Sequence, residues 1–426
     1  MNPPASTVRI QRIGADADGI AELPCGTPLY LPGTLPGELV RATPTARRGE
    51  GWAGVADILE PSAERVAPPC PHFGACGGCT LQHWRDAPYA AWKSGLLAAA
   101  LRRAGYADAP IAPLARTAPY ARRRMDFAVR RAGGAILLGL HAARSDELVD
   151  LGTCAVLHPA LLSLLAPLRT LLRGLSALRR EGSAVVNLLE SGPDLLLRTD
   201  AAATTDDRTR LAAFAAAHGL ARIAVQHGRQ APEIACLLHP PVIRFAGHAV
   251  TPPPGGFLQA SEAGEQAILA AVLAGLPAKL AVRAAIGELY AGSGTLSFAL
   301  AAHARVIAYE GDATACAALR AGVNAARLAG RITAHQRDLT RQPLTAKELA
   351  PFAAVVLDPP HAGAAAQLPT LAASGVRRII YVSCNPAALA RDGAVLRGAG
   401  YRLLAASPID QFLWSARLES VCVFAR

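Results

Sequence analysis

The sequence has no long uninterrupted hydrophobic run. Although 52% of its 426 residues are hydrophobic, no stretch reaches the ~18 apolar residues that a membrane-spanning helix needs. The apolar run from Ala267 to Leu276 stops at Pro277. The first residues carry no basic segment followed by an apolar one, so we predict no signal peptide. We therefore expect a soluble, cytoplasmic protein of two or three domains with no membrane partner.

Lysine is also scarce. Only Lys93, Lys279 and Lys347 are present, so nearly all of the 43 basic residues are arginine, and the net charge is +11. Arginine pairs with phosphate through two parallel hydrogen bonds, and a basic excess of this size is typical of a protein with a polyanionic partner. A GC-rich genome, which enriches Ala, Arg, Gly and Pro together, is an equal explanation of the charge.

The nine cysteines are an odd number in a chain with no predicted secretion signal, which argues against a disulfide framework. Three of them form a Cys-x5-Cys-x2-Cys block, and a fourth follows at a distance. We predict that these four bind a metal: Cys70, Cys76, Cys79 and Cys154. Four thiolates favour an iron–sulfur cluster, and zinc with His72 or His83 as a ligand is the alternative. The others are interpreted as core or incidental residues: Cys25, Cys236, Cys316 and Cys422.

Three regions with different patterns follow one another along the chain. Residues 7–60 contain short apolar strands between glycine turns, which predicts a small OB-like β-barrel, either RNA-binding or purely structural. The cysteine block and a mixture of strands and helices come next. After residue 256, apolar strands alternate with helices, which indicates a parallel sheet covered on both faces. We predict an α/β fold with domains at 1–62, 63–256 and 257–426, the second of them β-rich.

Polar motifs follow the predicted strands of the C-terminal sheet. A glycine-rich loop runs from Gly287 to Thr295, Glu310 ends the next strand, and Asp358-Pro-Pro and Ser-Cys384-Asn-Pro follow two more. Ligands bind at the carboxyl ends of such strands. Because Ser297 replaces the third glycine of a dinucleotide fingerprint, a nucleoside such as S-adenosylmethionine suits the loop better than NAD. The alternatives are a simple turn at Asp358 and a small buried hydrophobe at Cys384.

Two further features admit both a functional and a structural interpretation. Glu419 is an acid at the start of an otherwise apolar last strand, so it is either a functional buried carboxylate or an exposed glutamate on an edge strand. The run Arg122-Arg123-Arg124 lines an RNA path or is a solvated strand end.

These motifs, in this order, resemble the RNA uracil-C5 methyltransferases, which make 5-methyluridine. The resemblance covers nearly the whole chain: a TRAM-like barrel, a four-cysteine cluster, a central domain and a Rossmann-like methyltransferase domain. The Cys-x5-Cys-x2-Cys block and Tyr381-Val-Ser-Cys-Asn-Pro carry it. It implies an RNA partner, with 23S rRNA favoured over tRNA, and we expect a monomer.

The resemblance also implies roles for individual residues. A [4Fe-4S] cluster would be held by Cys70, Cys76, Cys79 and Cys154. S-adenosylmethionine would be bound by Gln259, Tyr290, Thr295, Glu310, Asp338 and Asp358. Cys384 matches the nucleophile, which attacks C6 of uracil so that C5 becomes nucleophilic. Glu419 matches the base that removes the C5 proton.

The chain departs from the family pattern at four positions. His361 stands where arginine is usual, Arg417 where histidine is usual, Thr295 where asparagine is common, and Ser261 replaces a frequent asparagine. Pairing of Arg417 with the Glu419 carboxylate is one expectation from these departures. Two other functions stay open: an amino-group methyltransferase of adenine or guanine, and a non-catalytic RNA-binding iron–sulfur protein.

Overall fold

The first sheet is a small barrel near the N-terminus. The structure is a computed structural model that describes residues 2–426, so Met1 of the predicted first domain lies outside the described residues. The strands of this sheet are β1 (Ser6–Arg9), β2 (Arg12–Ile13), β3 (Gly19–Glu22), β4 (Pro28–Leu31), β5 (Leu39–Arg48) and β6 (Gly51–Glu60). Their order is β1-β5-β6-β4-β3-β2. The two edge strands of the sheet, β1 and β2, are separated by only two residues of the chain. The sheet must therefore curl so that its two edges come close together.

The cysteine block lies in the loop that leaves the barrel. Residues 61–85 carry isolated bridges rather than strands, and one of them joins Cys76 to Ala142. Helix α1 (Asp86–Arg103) follows, with basic residues in its last turn. The short strand β7 (Ala115–Arg116) then joins the last sheet of the molecule, so the segment after α1 is paired with residues 409–410 near the C-terminus.

The second sheet has seven strands in the order β10-β9-β8-β11-β12-β13-β14. The bounds in this region are β8 (Arg124–Ala132), β9 (Ala135–His141), β10 (Leu148–Asp150), α2 (Pro159–Leu162), α3 (Leu165–Gly174), β11 (Glu181–Leu189), β12 (Gly192–Thr199), α4 (Thr205–His218), β13 (Arg222–His227) and β14 (Glu233–Leu237). Leucines of α3 and α4 pack on this sheet to form a separate core. Thr204 and Asp207 cap α4 reciprocally, which satisfies its first free backbone N–H groups.

The third sheet carries the predicted methyltransferase motifs. A hairpin of β15 (Ile243–Phe245) and β16 (His248–Val250) precedes it. The remaining elements are α5 (Glu262–Ala274), β17 (Ala285–Leu289), α6 (Ser297–Leu300), β18 (Arg305–Glu310), α7 (Ala313–Ala325), β19 (Ile332–Gln336), α8 (Ala346–Leu349), β20 (Ala354–Leu357), α9 (Leu368–Ala373), β21 (Arg378–Ser383), α10 (Pro386–Gly398), β22 (Arg402–Asp410) and β23 (Glu419–Ala425). The strand order is β19-β18-β17-β20-β21-β23-β22-β7, and the first five strands are parallel.

Both faces of this sheet are covered. Ile380 and Val382 of β21 belong to the core on one face, whereas Ile379 and Tyr381 belong to the core on the other. Alternate residues of a strand point to opposite faces, so a continuous apolar strand needs a layer of helices on each side. This architecture confirms the predicted α/β fold class with a Rossmann-like C-terminal sheet.

Helix α5 begins after Ser261, whose hydroxyl accepts a hydrogen bond from the Gly264 N–H at 3.0 Å, as an N-cap does. Within residues 2–426, no helix combines the length and apolar character that crossing a bilayer requires.

Candidate active site

The predicted site residues meet at one edge of the third sheet. Parallel strands β17, β18, β20 and β21 all end at this edge, which places Tyr290, Glu310, Asp358 and Cys384 directly after or at the ends of their strands. Strand β23 is antiparallel to β21, so its first residue, Glu419, starts at the same edge. The sheet therefore brings together side chains that are up to about 130 positions apart in sequence.

The glycine-rich loop is fixed by the carboxylate at the end of β18. Glu310 accepts hydrogen bonds from the backbone N–H groups of Gly292 and Asp312, both at 2.7 Å. Gly294 has a φ of +102°, and a Cβ there would lie 2.6 Å from the Leu319 side chain. Only glycine fits this position, so the backbone can come close to a ligand. Tyr290, with a φ of +64°, stores strain at the start of the same loop.

Asp338 and Thr295 lie on either side of this loop region. The Arg337 N–H donates to the Glu310 carbonyl oxygen at 2.7 Å, which holds the following Asp338 beside the end of β18. The Asp338 carboxylate accepts from the Thr340 N–H at 2.9 Å, and Thr295 is half-buried on the loop. Both residues therefore lie at the carboxyl edge of the sheet.

A chain of polar side chains links the two carboxylates of the edge. The Gln259 amide donates to Asp358 at 3.3 Å, and the Gln411 amide donates both to the Gln259 oxygen and to Glu419 Oε2 at 2.8 Å. Glu419 is only 3% exposed, and its Oε1 is buried without a hydrogen-bond partner. An unpaired buried carboxylate oxygen is costly, and such atoms concentrate at functional sites. Glu419 is thus not an exposed edge-strand residue.

Burial raises the pKa of Asp358, Glu419 and Cys384. The pKa of Asp358 is raised to about 7 by burial. The pKa of Glu419 is raised well above its ordinary value by burial and by the negative charge of Asp358. For Cys384 the pKa is raised to about 11, first by burial and then by the charges of Glu419 and Asp358, against the lowering effect of Arg417. The thiol therefore needs help to lose its proton.

His361 and Arg417 stand beside the Cys384 thiol. His361 Nδ1 lies 3.8 Å from Cys384 Sγ, and Arg417 Nη1 lies 3.4 Å from the same ring nitrogen. The expectation that Arg417 pairs with Glu419 is wrong, because the exposed guanidinium turns towards His361 and Gln411 takes its place at the carboxylate. Cys384 is half-buried at the surface of a cleft rather than in the core.

The loop between β22 and β23 is held by a buried ion pair. Lys93 of α1 lies 2.8 Å from Asp410 with both side chains fully buried, and the Tyr89 hydroxyl donates to the same carboxylate at 2.7 Å. Lys93 also donates to the carbonyl oxygens of Phe412 and Arg417. These bonds fix the path of the loop and hence the position of Gln411, its first residue.

The four predicted metal ligands line one cavity of about 520 Å³: Cys70, Cys76, Cys79 and Cys154. The pKa of Cys79 is raised to about 12 by burial and by the other three thiols. Gly77 packs so closely that a Cβ would lie 2.8 Å from the His141 carbonyl oxygen. Among the described residues, no three His, Cys, Asp or Glu side chains converge to hold a single metal ion.

A larger cleft of about 1520 Å³ joins Cys384 to the barrel. It is lined by the barrel, the cysteine block, α1 and the loop of Arg417. Arg12, Arg102 and Arg103 face it, and none of the three pairs with a carboxylate anywhere in residues 2–426. Free guanidinium groups along an open cleft are suited to phosphates.

The predicted arginine run lies elsewhere. Arg123 is largely buried, pairs with Glu265 at 2.6 Å and donates to the Gln259 carbonyl oxygen at 3.2 Å, so it supports the polar chain. Arg122 and Arg124 line the cysteine cavity. Arg123 is therefore neither a solvated strand end nor a free phosphate ligand.

Gln411 is the residue that sequence reasoning missed. Its amide joins Gln259 to Glu419, but its position follows only from the fold of the loop. The only sequence signal is its place between a buried acid, Asp410, and the loop that leads to Glu419. His361 was noticed as a departure from a family pattern, without a role.

Comparisons with known proteins show the family to which the chain belongs. The tRNA (Uracil-5-)-methyltransferase family matches residues 279–426, which contain the whole carboxyl edge except Gln259. An uncharacterized RNA methyltransferase of Brucella suis is 40% identical over 98% of this chain and 97% of that protein. The 23S rRNA (uracil(1939)-C(5))-methyltransferase RlmD of Halomonas elongata is 38% identical over 97% of this chain and 88% of its own length.

A solved structure shares the fold. The crystal structure of Pyrococcus abyssi tRNA (uracil-54, C5)-methyltransferase with S-adenosyl-L-homocysteine has a TM-score of 0.74 and covers 98% of this chain and 99% of its own, at 18% identity. Such low identity carries the fold and not the substrate. The two sequence relatives, each matched along almost the whole chain, show that it belongs to the RNA (uracil-5-)-methyltransferase family and is an enzyme of that class.

Proposed function

We propose that the enzyme transfers a methyl group from S-adenosylmethionine to C5 of a uridine in 23S rRNA, with Cys384 as nucleophile and Glu419 as base. One observation carries this proposal. Cys384 follows β21 and Glu419 begins β23, and the two strands are paired so that Ser383 lies opposite Ser420. A thiol and an unpaired carboxylate oxygen thus share one edge of the sheet.

The chemistry of uracil explains why both groups are needed. C5 is a poor nucleophile until the Cys384 sulfur adds to C6 and makes the ring an enolate. After C5 is methylated, its proton must leave before the sulfur can depart. The raised pKa of Glu419 suits a group that accepts a proton late in the reaction. The target base must leave its stack to reach the thiol.

Six residues of the carboxyl edge would hold S-adenosylmethionine, which supplies the methyl group when bound: Gln259, Tyr290, Thr295, Glu310, Asp338 and Asp358. The Glu310 carboxylate ends β18, where an acid can accept from both ribose hydroxyls. Its bonds to two backbone N–H groups orient it. Asp358 and Gln259, already hydrogen-bonded to each other, connect this half of the site to Glu419 through Gln411.

We further propose that Cys70, Cys76, Cys79 and Cys154 hold a [4Fe-4S] cluster. Each thiolate of such a cluster binds a different iron, so the ligands surround a volume rather than converge on one point. Four thiols lining one cavity fit that arrangement better than they fit zinc, which needs all ligands around one ion. Burial, and then the charges of the neighbouring thiols, raise the pKa of Cys76 and Cys79, and bound iron would stabilise the thiolate form of both.

The RNA would lie in the cleft between the barrel and Cys384. We propose that residues 1–62 are a TRAM-like RNA-binding domain, that 63–256 carries the cluster and that 257–426 is the catalytic domain. The arginines without partners that face the cleft support this path. We also propose that the protein works in the cytoplasm, where ribosomal RNA is modified, and as a monomer.

The relative RlmD, matched along nearly the whole chain, favours 23S rRNA, and uridine 1939 named for it is the first position to examine. The test is to map 5-methyluridine in rRNA and tRNA from a strain lacking the gene, with and without a plasmid copy. Loss of the base from 23S rRNA alone, restored by the plasmid, is the expected result. Loss of 5-methyluridine from tRNA alone would mean that the substrate is tRNA and not 23S rRNA.

A further inference from the structure

The thiol of Cys384 lacks an obvious proton acceptor in the proposed mechanism. Its pKa is raised to about 11 by burial and by two carboxylates, so near neutral pH it carries its proton. A thiol of that kind is a poor nucleophile until a base takes the proton. Glu419 is hydrogen-bonded to Gln411 and Asp358 to Gln259, and both are needed for other roles.

The side chain in contact with the sulfur is an imidazole. His361 Nδ1 lies 3.8 Å from Cys384 Sγ, which is within the range of a hydrogen bond to sulfur. Histidine is the side chain whose ordinary titration falls between pH 5 and 8. The residue follows Asp358-Pro-Pro directly, so the end of β20 that supplies Asp358 also delivers the imidazole to the end of β21.

The surroundings of the ring leave Nδ1 as an acceptor. Arg417, from the loop before β23, places Nη1 3.4 Å from Nδ1. Because a guanidinium can only donate and Nδ1 has a single lone pair, the thiol proton reaches Nδ1 when this guanidinium turns away. Asn385 donates its amide to the His361 carbonyl oxygen at 2.9 Å, with its nitrogen 3.5 Å from Nε2. Arg391 of α10 bonds the neighbouring Ala362 carbonyl oxygen at 2.8 Å. The charged or titratable groups that contact the ring are therefore Cys384 and Arg417, and Arg391 at the neighbouring backbone is paired with Asp392.

We propose that His361 is the catalytic base that activates Cys384. The proton of the thiol moves to Nδ1 while the sulfur bonds to C6, and the C5–C6 π electrons move into the O4 enolate. After methylation, Glu419 takes the C5 proton, the C5–C6 double bond re-forms and the C6–S bond breaks. The departing sulfur then recovers its proton from Nδ1. This inference rests on the proposed function.

The role proposed for residue 361 depends on its being a histidine. The family that the sequence resembles usually has arginine at this position, and arginine cannot accept a proton. His361 is exposed in the cleft, so its replacement leaves the core unchanged. Its role can therefore be tested without unfolding the site.

The experiment compares three variants: His361→Asn, His361→Arg and His303→Asn as control. His303 is also exposed but precedes β18, at the opposite edge of the sheet. Two rates are measured from pH 5.5 to 9.5. One is alkylation of Cys384 by iodoacetamide, followed by mass spectrometry of its peptide. The other is single-turnover formation of the denaturation-resistant RNA adduct.

In the unmodified enzyme and in His303→Asn, both rates should rise to a plateau near neutral pH. In His361→Asn both should fall at least ~10-fold at pH 7 and keep rising to the alkaline limit, because hydroxide must then remove the proton. His361→Arg should also lack the neutral plateau, since it supplies charge without an acceptor. RNA affinity should be unchanged in His361→Asn, because that change removes only the proton acceptor and adds no charge to the cleft.

If either His361 variant reached a plateau near neutral pH at the normal rate, the assignment would be overturned. The charge or the packing of residue 361 would then be sufficient to activate Cys384 without a proton acceptor. A failure of the proposed function would give a different experimental result. In that case the unmodified enzyme would form no RNA adduct at all. Alkylation of Cys384 would still report whether its proton goes to His361, and alkylation unaffected by His361→Asn would overturn the inference independently.

Discussion

The cysteine block and the single cysteine Cys384 are both partly buried, but different groups surround their thiols. Burial is the largest cause of the raised pKa both at Cys79, to about 12, and at Cys384, to about 11. After burial, the groups that raise the pKa are three other thiols at Cys79 and two carboxylates at Cys384. Thiols facing thiols suit a metal cluster, and a single thiol facing carboxylates and an imidazole suits a nucleophile.

The two groups are joined by one loop. The Trp414 carbonyl oxygen accepts from the N–H groups of Thr80 and Leu81, next to the cysteine block. Arg417 in the same loop lines both the cysteine cavity and the cleft of Cys384. Loss of the cysteine site should therefore disturb the active site through this loop, whereas loss of Cys384 should leave the cysteine site intact.

The largest expected effect comes from Cys384→Ala. Removing the only nucleophile should reduce methyl transfer by at least ~10⁴-fold and abolish the RNA adduct. Iron content should not change, because the cysteine cavity is untouched. Methyl transfer from labelled S-adenosylmethionine and iron analysis measure the two results, with exposed Cys25→Ala as control. Activity retained in Cys384→Ala would point to an amino-group methyltransferase.

Cys154→Ser should have the converse effect on the cysteine site. Protein purified without oxygen should contain about four iron atoms per chain, and this variant should lose them although Cys154 is distant from the block in sequence. Cys236→Ser, at a partly buried cysteine of β14, should keep its iron. Stoichiometric zinc without iron in the unmodified protein would contradict the assignment.

Glu419→Gln should separate the two chemical steps of the active site. The amide keeps the shape and the bond from Gln411 but cannot accept the C5 proton, so the methylated ring should stay attached to Cys384. A denaturation-resistant adduct that carries the transferred methyl group should accumulate and be visible on a denaturing gel. Normal turnover would remove Glu419 as the base. Inactivity without an adduct would assign Glu419 to an earlier step.

The smallest expected effect is that of Glu419→Gln on the free energy of unfolding. Because its folded-state pKa is raised, Glu419 favours the folded state at low pH and destabilises it as pH rises above about 4.5. Glu419→Gln removes that cost, so its free energy of unfolding should exceed that of the unmodified protein by about 1–2 kcal/mol at pH 8 and by little at pH 4.5. Urea unfolding at both pH values measures this, with exposed Glu22→Gln as control. The same difference in the free energy of unfolding at pH 8 and at pH 4.5 would contradict this prediction.

Hydrophobic patterning was sufficient to predict the sheet and the edge where ligands bind. The apolar run before Asp358 predicted a buried strand, and β20 is buried at all four positions. Once several such strands are parallel, the residues that follow them must meet, whatever their distance in sequence. The positions of Glu310, Asp358 and Cys384 therefore followed from local pattern and one topological rule.

The sequence by itself determined the fold class, the cysteine block and the residues at the strand ends, because these depend on short-range periodicity and spacing. The tertiary structure alone decided which groups face one another. Arg417 turned to His361, and Gln411 took the expected place of Arg417 at Glu419. The reason is physical: the loop between β22 and β23 is positioned by the buried Lys93–Asp410 pair, whose members are more than 300 residues apart.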